Sequence, residues 1–178
     1  MLYKIAIFLH VTGALLFFAT MAMEWLFISL LRKETNISRL KDPLSGYAKQ
    51  SKLGGASMAL MLITGVYMTA TVWKETAWIP VALISMVLIG AIGGIVTGRR
   101  MKKIKNIVKN NASRPAENQL IVHGRALRYS LQTRTTIFFG IILLMTIKPG
   151  WTGSIITIAL SILIGTIPAG SRRVPSRQ

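Results

Sequence analysis

Five apolar stretches organise this chain: Ile5 to Leu31, Leu53 to Trp73, Trp78 to Thr97, Tyr129 to Ile147 and Trp151 to Ala169. Each is close to or above the ~20 residues that cross the hydrocarbon core of a bilayer. The expected fold is therefore all-α, a polytopic membrane bundle of five transmembrane helices. The short gaps leave no room for a second folded domain, so residues 1–170 read as one transmembrane domain and 171–178 as a basic tail.

Charge orients the bundle. The chain has 22 Lys and Arg against five Asp and Glu. Six of the basic residues fall between Arg32 and Lys52, ten between Gly98 and Arg134, and three (Arg172, Arg173 and Arg177) after Gly170. The intervening connections, Lys74 to Ala77 and Lys148 to Gly150, carry one Lys each. Cytoplasmic loops are the ones enriched in Lys and Arg, which puts the N-terminus outside and the C-terminus in the cytoplasm. Trp73, Trp78 and Trp151 then gather at the outer boundary, where amphipathic rings are favoured, and Trp25 falls at the inner end of the first span.

A net charge of +17 in a soluble protein would point to nucleic acid. Here the basic loops are expected to face anionic phospholipid head groups, each cation contributing about 1 kcal/mol, and no nucleic-acid partner is expected. The run Arg99 to Lys109 is either a helix on those head groups or a flexible loop, and Ile104, Ile107 and Val108 on one side favour the helix. The absence of cysteine excludes disulfides and thiolate chemistry. The first apolar run far exceeds the ~7–15 residues of a signal-peptide core, so it is expected to remain as a span.

The spans carry faces. His10, Gly13, Phe17, Thr20 and Glu24 recur at helical spacing on the first, Gly54, Met58, Met61, Gly65 and Met68 on the second, and Ser154, Thr157, Ser161 and Gly165 on the fifth. Such stripes are expected to face protein and permit close packing. Gly90, Gly94 and Gly98 form two overlapping G-x-x-x-G units, which predicts close approach of a neighbouring helix within the chain, with a homodimer or another membrane subunit as the alternative. Arg134 lies ~21 Å inward from Lys148 and calls for a counter-charge. Glu24 is the acid available, so a pair of Glu24 with Arg134 or Arg128 is one expectation, and Glu24 extending to the inner interface is the other.

His10, ~10 Å below the outer surface, is the residue with ligand chemistry. A neutral imidazole at that depth can ligate haem iron or copper, relay a proton, or hydrogen-bond another helix. Met68 and Met86 come out at a similar depth, so a His and Met site is possible. His123 lies ~37 Å inward from Lys148, too far for two-histidine ligation within one chain.

The first helix, with Phe8-Leu9-His10-Val11-Thr12-Gly13-Ala14, resembles the opening L-H-x-x-G helix of small bacterial membrane proteins. These include the copper-resistance D type and the haem-binding, membrane-integral protoporphyrinogen oxidase. Met145-Thr146-Ile147-Lys148-Pro149 is similar to the apolar helix closing in Lys-Pro that several of these share. The resemblance implies a haem ligand role for His10, and haem b or copper is the cofactor to be expected if one is bound. Met23-Glu24-Trp25 stands where the oxidase pattern has a Pro-Arg pair, Arg134-Thr135-Thr136 replaces its Asn-Glu-x-Pro entry, and a fifth span is added. The chain looks closer still to uncharacterised integral membrane proteins of the same plan, a likeness that implies fold without activity.

No Ser or Cys nucleophile with a base, no paired carboxylates, no phosphate loop and no metal-binding His pair is present. The expected function is a non-enzymatic scaffold or accessory subunit engaging partner helices and anionic lipid. A haem- or copper-associated redox or assembly protein using His10 is the alternative. A proton or small-solute pathway lined by His10, Glu24, Arg134, Ser154, Thr157 and Ser161 is a third.

Overall fold

A computed structural model describes residues 1–34, 37–73, 76–109 and 124–167. His123, Lys74, the segment 110–123 and the tail with Arg172, Arg173 and Arg177 lie outside the described residues. The described chain is helical: α1 (Leu2–Lys33), a 3-10 turn (Ile37–Leu40), α2 (Lys41–Thr71), α3 (Trp78–Ile92), a π-helical segment (Gly93–Gly98), α4 (Arg99–Lys109), α5 (Arg125–Ile147) and α6 (Trp151–Thr166). Counting α3 to α4 as one rod, four helices are long and apolar enough to cross a membrane, which marks a multi-pass membrane protein. The fifth, α6, has 16 residues and is the short one. At ~1.5 Å per residue it reaches about 24 Å, less than the ~30 Å hydrocarbon core.

Local chemistry sets the ends. Arg32 and Lys33 occupy the last turn of α1 and Asp42 the first turn of α2, each favourable to the helix dipole. Pro43 and Pro80 fall in first turns, where the missing N–H breaks no intrahelical bond. Lys148 closes α5 in the left-handed region (φ 52°), and Pro149 prevents continuation.

The helices form two units. α1 packs along α2, and α5 packs on α6 and α3. Half of the most apolar window of α5 is buried, against 28% or less for the other three candidate spans, so α5 is the central helix. Phe17 and Met21 of α1 join the units by packing with Ile137, Phe138 and Ile141 of α5. Ring contacts reinforce this joint, with the Phe17 and Phe138 centroids 5.5 Å apart. The outward faces are apolar and exposed, as at Ile63, Ile84 and Leu163, which suits contact with lipid tails.

The basic run Arg99 to Lys109 is helical, but its apolar side faces protein. Met101, Ile104 and Val108 are buried against Ile28, Leu31, Leu44 and Leu127. The reading of this run as a helix laid on head groups by its apolar side is corrected accordingly: the π-helical segment carries the third span straight into α4, and α4 docks on the ends of α1, α2 and α5. Only its polar faces remain for lipid.

A second correction concerns the glycine stripe of the third span. A side chain added at Gly94 would meet nothing within 4 Å, one at Gly98 would meet the carbonyl oxygen of Gly93 at 3.6 Å, and one at Gly90 would strike the Met58 side chain. No neighbouring helix backbone is seated on the stripe among the described residues. Close backbone packing instead joins α1 to α2, where Gly13 sits 3.3 Å, by a built Cβ, from the Ser57 carbonyl oxygen. Gly54 lies against Thr20 and Gly65 against the His10 ring.

Candidate functional site

The two units leave a seam between α2 and α3, which run side by side with little contact. Two cavities lie in it, at different depths. His10 lines one and Glu24 the other, about 21 Å apart along α1 at ~1.5 Å per residue.

The first cavity lies at the end of the bundle marked by tryptophans. Trp73 and Trp78 meet edge to face with centroids 6.2 Å apart, the Lys148 ammonium lies 4.3 Å from the Trp73 ring centre, and Trp73 Nε1 donates to the Tyr3 hydroxyl at 3.2 Å. Beneath them a cavity of about 110 Å³ is walled by His10, Met61, Met68, Met86 and Met145 together with apolar side chains. Sequence position thus brings His10, Met68 and Met86 to one space, and the fold adds Met61 and Met145.

The hydrogen bonds of the His10 ring favour one tautomer. Its Nδ1 is 3.1 Å from the Met61 carbonyl oxygen and 3.0 Å from Thr64 Oγ1, while the Thr64 hydroxyl itself donates to the Leu60 carbonyl at 2.6 Å. A carbonyl only accepts, so Nδ1 carries the hydrogen, and Nε2 is left with its lone pair. A ring N–H held by a backbone carbonyl is also the arrangement that orients a metal-ligating imidazole.

The second cavity, about 280 Å³, lies nearer the basic end. Arg134 Nη2 of α5 donates to Glu24 Oε2 of α1, and both residues are more than nine-tenths buried. The Tyr47 hydroxyl is directed to the same carboxylate. Gln50 donates from Nε2 to the Thr20 carbonyl at 2.8 Å. Gly93 accommodates the Arg134 guanidinium: a Cβ there would collide with Nη1. The π-helical segment begins at this glycine, and Thr97 within it shares a buried hydroxyl bond of 2.9 Å with Ser130 of α5. Such widened turns occur often at functional sites. Arg128, the other partner considered for Glu24, lies exposed near Arg32.

Ser154, Thr157 and Ser161 do not join either cavity. Their hydroxyls return to carbonyls of their own chain segment, at Pro149 and Gly150, Gly153 and Thr157, and Ser161 packs on Gly140 of α5. His10 and Glu24 thus line two separate cavities, and the Ser154, Thr157 and Ser161 stripe lines neither. Tyr47 and Gln50 were missed because they precede the apolar run of the second span. α2 starts at Lys41, three turns earlier than that run, and carries both residues to the level of Glu24.

No family model, curated protein or solved structure matches the chain. Its chemistry has to be read from the two cavities.

Donor sets decide what each could hold. No cluster of three or more His, Asp or Glu is present among the described residues, so a hard-cation site is not formed there. The first cavity offers one imidazole nitrogen and several thioethers, the donors preferred by copper(I). Haem fits poorly. About 110 Å³ is well below the ~300–1,000 Å³ of sites for drug-sized molecules, and a macrocycle would have to part Trp78, Met86 and Ile141 from their packing.

Proposed function

We propose that this chain is a multi-pass protein of a bacterial inner membrane, N-terminus outside and C-terminus in the cytoplasm, that holds copper(I) in the cavity beside His10. The observation carrying this reading is the His10 ring itself, held through Nδ1 by the Met61 carbonyl while it lines a cavity with four methionines. Nε2 and the sulfurs of Met68 and Met86 would hold the ion, and the surrounding apolar walls would keep it reduced by excluding water. Trp73, Trp78 and Lys148 cover the cavity at the outer surface, so loading requires these side chains to yield.

The test is copper(I) competition against a chromophoric chelator with the detergent-purified chain. A single equivalent should bind, with mixed nitrogen and sulfur ligation by X-ray absorption. His10→Ala should weaken it at least a hundredfold and Met68→Leu or Met86→Leu at least tenfold. Retention of copper unchanged in His10→Ala would refute the site.

One observation favours the reading as an accessory subunit for other membrane helices. Gly94 and Gly55 face open space on either side of the seam, so their small-residue faces remain available to a partner helix. Native mass measurement of the complex extracted from membranes tests it.

A further inference from the structure

At the basic end of the bundle, α2 and α4 border a groove separate from both cavities. It measures about 420 Å³ and is lined by Lys41 and Ser45 of α2 and by Lys105 and Lys109 of α4, with Leu44 and Val108 between them. Leu44 and Val108 are buried in the core that seats α4 on the bundle. Lys41 and Ser45 stand one turn apart beside Leu44, and Lys105 and Lys109 stand one turn apart beside Val108. Two anchored apolar residues therefore hold two polar walls in place, while the lysines and the serine stay exposed.

Charge in this groove has one sign. No acid among the described residues lines it: Glu24 is paired with Arg134, and Glu34 and Asp42 line a different groove with Lys33 and Arg39. Lys41, Lys105 and Lys109 have no ion-pair or hydrogen-bond partner among the described residues. Lys105 and Lys109 are also like charges four positions apart on one helix, an arrangement that destabilises it unless an anion intervenes. Ammonium groups only donate, and a phosphate supplies acceptor oxygens and negative charge together.

Depth names the source of that phosphate. Gly46, next to Ser45, lies against the Phe27 ring, and Phe27 is ~36 Å from Tyr3 along α1 at ~1.5 Å per residue. Counted from the aromatic end at Tyr3, a hydrocarbon core of ~30 Å ends before this level, and the polar layer of a bilayer ~40–45 Å thick in all reaches it. The groove opens where lipid phosphates lie.

We infer that this groove is a binding site for one anionic phospholipid, its phosphate held by Lys41 of α2 together with Lys105 and Lys109 of α4, with the Ser45 hydroxyl as a further donor. This differs from a general attraction of basic loops to a charged surface, because three named cations from two helices act on one head group. It shares with the copper(I) reading only the placement across a bilayer, which reconstitution into nanodiscs checks separately.

The experiment takes the full-length chain from nanodiscs into detergent and follows lipid binding by native mass spectrometry. The probes are phosphatidylglycerol, phosphatidylcholine with the same acyl chains, and inorganic phosphate as competitor. The first phosphatidylglycerol should bind at least tenfold tighter than the first phosphatidylcholine. Lys105→Gln/Lys109→Gln should abolish that preference, and Lys41→Gln, on the other wall, should reduce it at least threefold. Lys33→Gln removes an equal charge from the other groove and should change it less than twofold. Equal loss in Lys33→Gln would make diffuse charge responsible and overturn the site. Displacement of the lipid by equimolar inorganic phosphate would make it a free-anion site and overturn the lipid assignment. Equal binding of the two lipids overturns the inference outright.

Discussion

Removing one charge of the Glu24 and Arg134 pair gives the sharpest energetic test of this structure. Two unit charges about 4 Å apart attract by about 4 kcal/mol at an effective dielectric constant near 20. Breaking a buried pair by removing one partner costs about 3–5 kcal/mol, because the survivor stays buried and uncompensated. The two figures agree in size, and the burial of both residues places the pair in that regime. Glu24→Gln should therefore destabilise the bundle by about 3 kcal/mol or more, a factor of roughly 150 in the unfolding equilibrium at ~1.4 kcal/mol per decade. Replacing both members should cost less than removing either one, since no charge is then left buried and uncompensated. Glu24→Gln, Arg134→Met and the double variant, unfolded reversibly in mixed micelles, form a double-mutant cycle. The expected coupling is at least about 2 kcal/mol, with the double variant more stable than either single one. Additive single effects under about 1 kcal/mol each would show that the pair is hydrated and screened like a surface ion pair, and would refute its role in joining α1 to α5.

Other expectations follow from the same geometry. Gly93→Ala should displace the Arg134 guanidinium and cost about 1–3 kcal/mol, the range for overpacking, and this loss should shrink in the Arg134→Met background, checked by thermal melting. Ile104, fully buried at the joint of α4 with the bundle, should cost about 2–5 kcal/mol when changed to Ala and release α4 to proteolysis near Lys105, read by limited digestion and mass spectrometry. Thr97→Val leaves the Ser130 hydroxyl buried without its partner, so about 1–3 kcal/mol of stability should be lost, and the companion Ser130→Ala change should restore part of it. The chain has no cysteine, so single cysteines at Tyr3 and Lys109 report topology without background. Labelling by an impermeant maleimide in intact cells should reach position 3 and not 109, and the reverse would invert the orientation.

The helical plan was legible because lipid solvent imposes a length on every span, and runs of twenty apolar residues write that length into the sequence. Stripes of three- and four-residue spacing located faces for the same reason. His10, Met68 and Met86 share a level because rise per residue is fixed, and the structure places them around one cavity. The partner of Glu24 was narrowed to Arg134 or Arg128 by depth alone, and rotation of α5 selects Arg134. The glycines of the third span were legible as a close-approach face, yet what approaches them depends on how far α2 stands away, which no pattern within α3 records.

The sequence by itself determined which segments are rods, their order and which of their faces carry polar groups, since these follow from local hydrogen bonding and the period of the helix. Only the tertiary structure decided that the rods assemble as a pair and a trio with an open seam between them. It also decided that α4 turns its apolar side into the protein, and that Arg134 and Gln50, from different helices, line one cavity. Those outcomes depend on the distance and rotation between helices, which are set by the sum of many side-chain contacts from segments far apart in the chain.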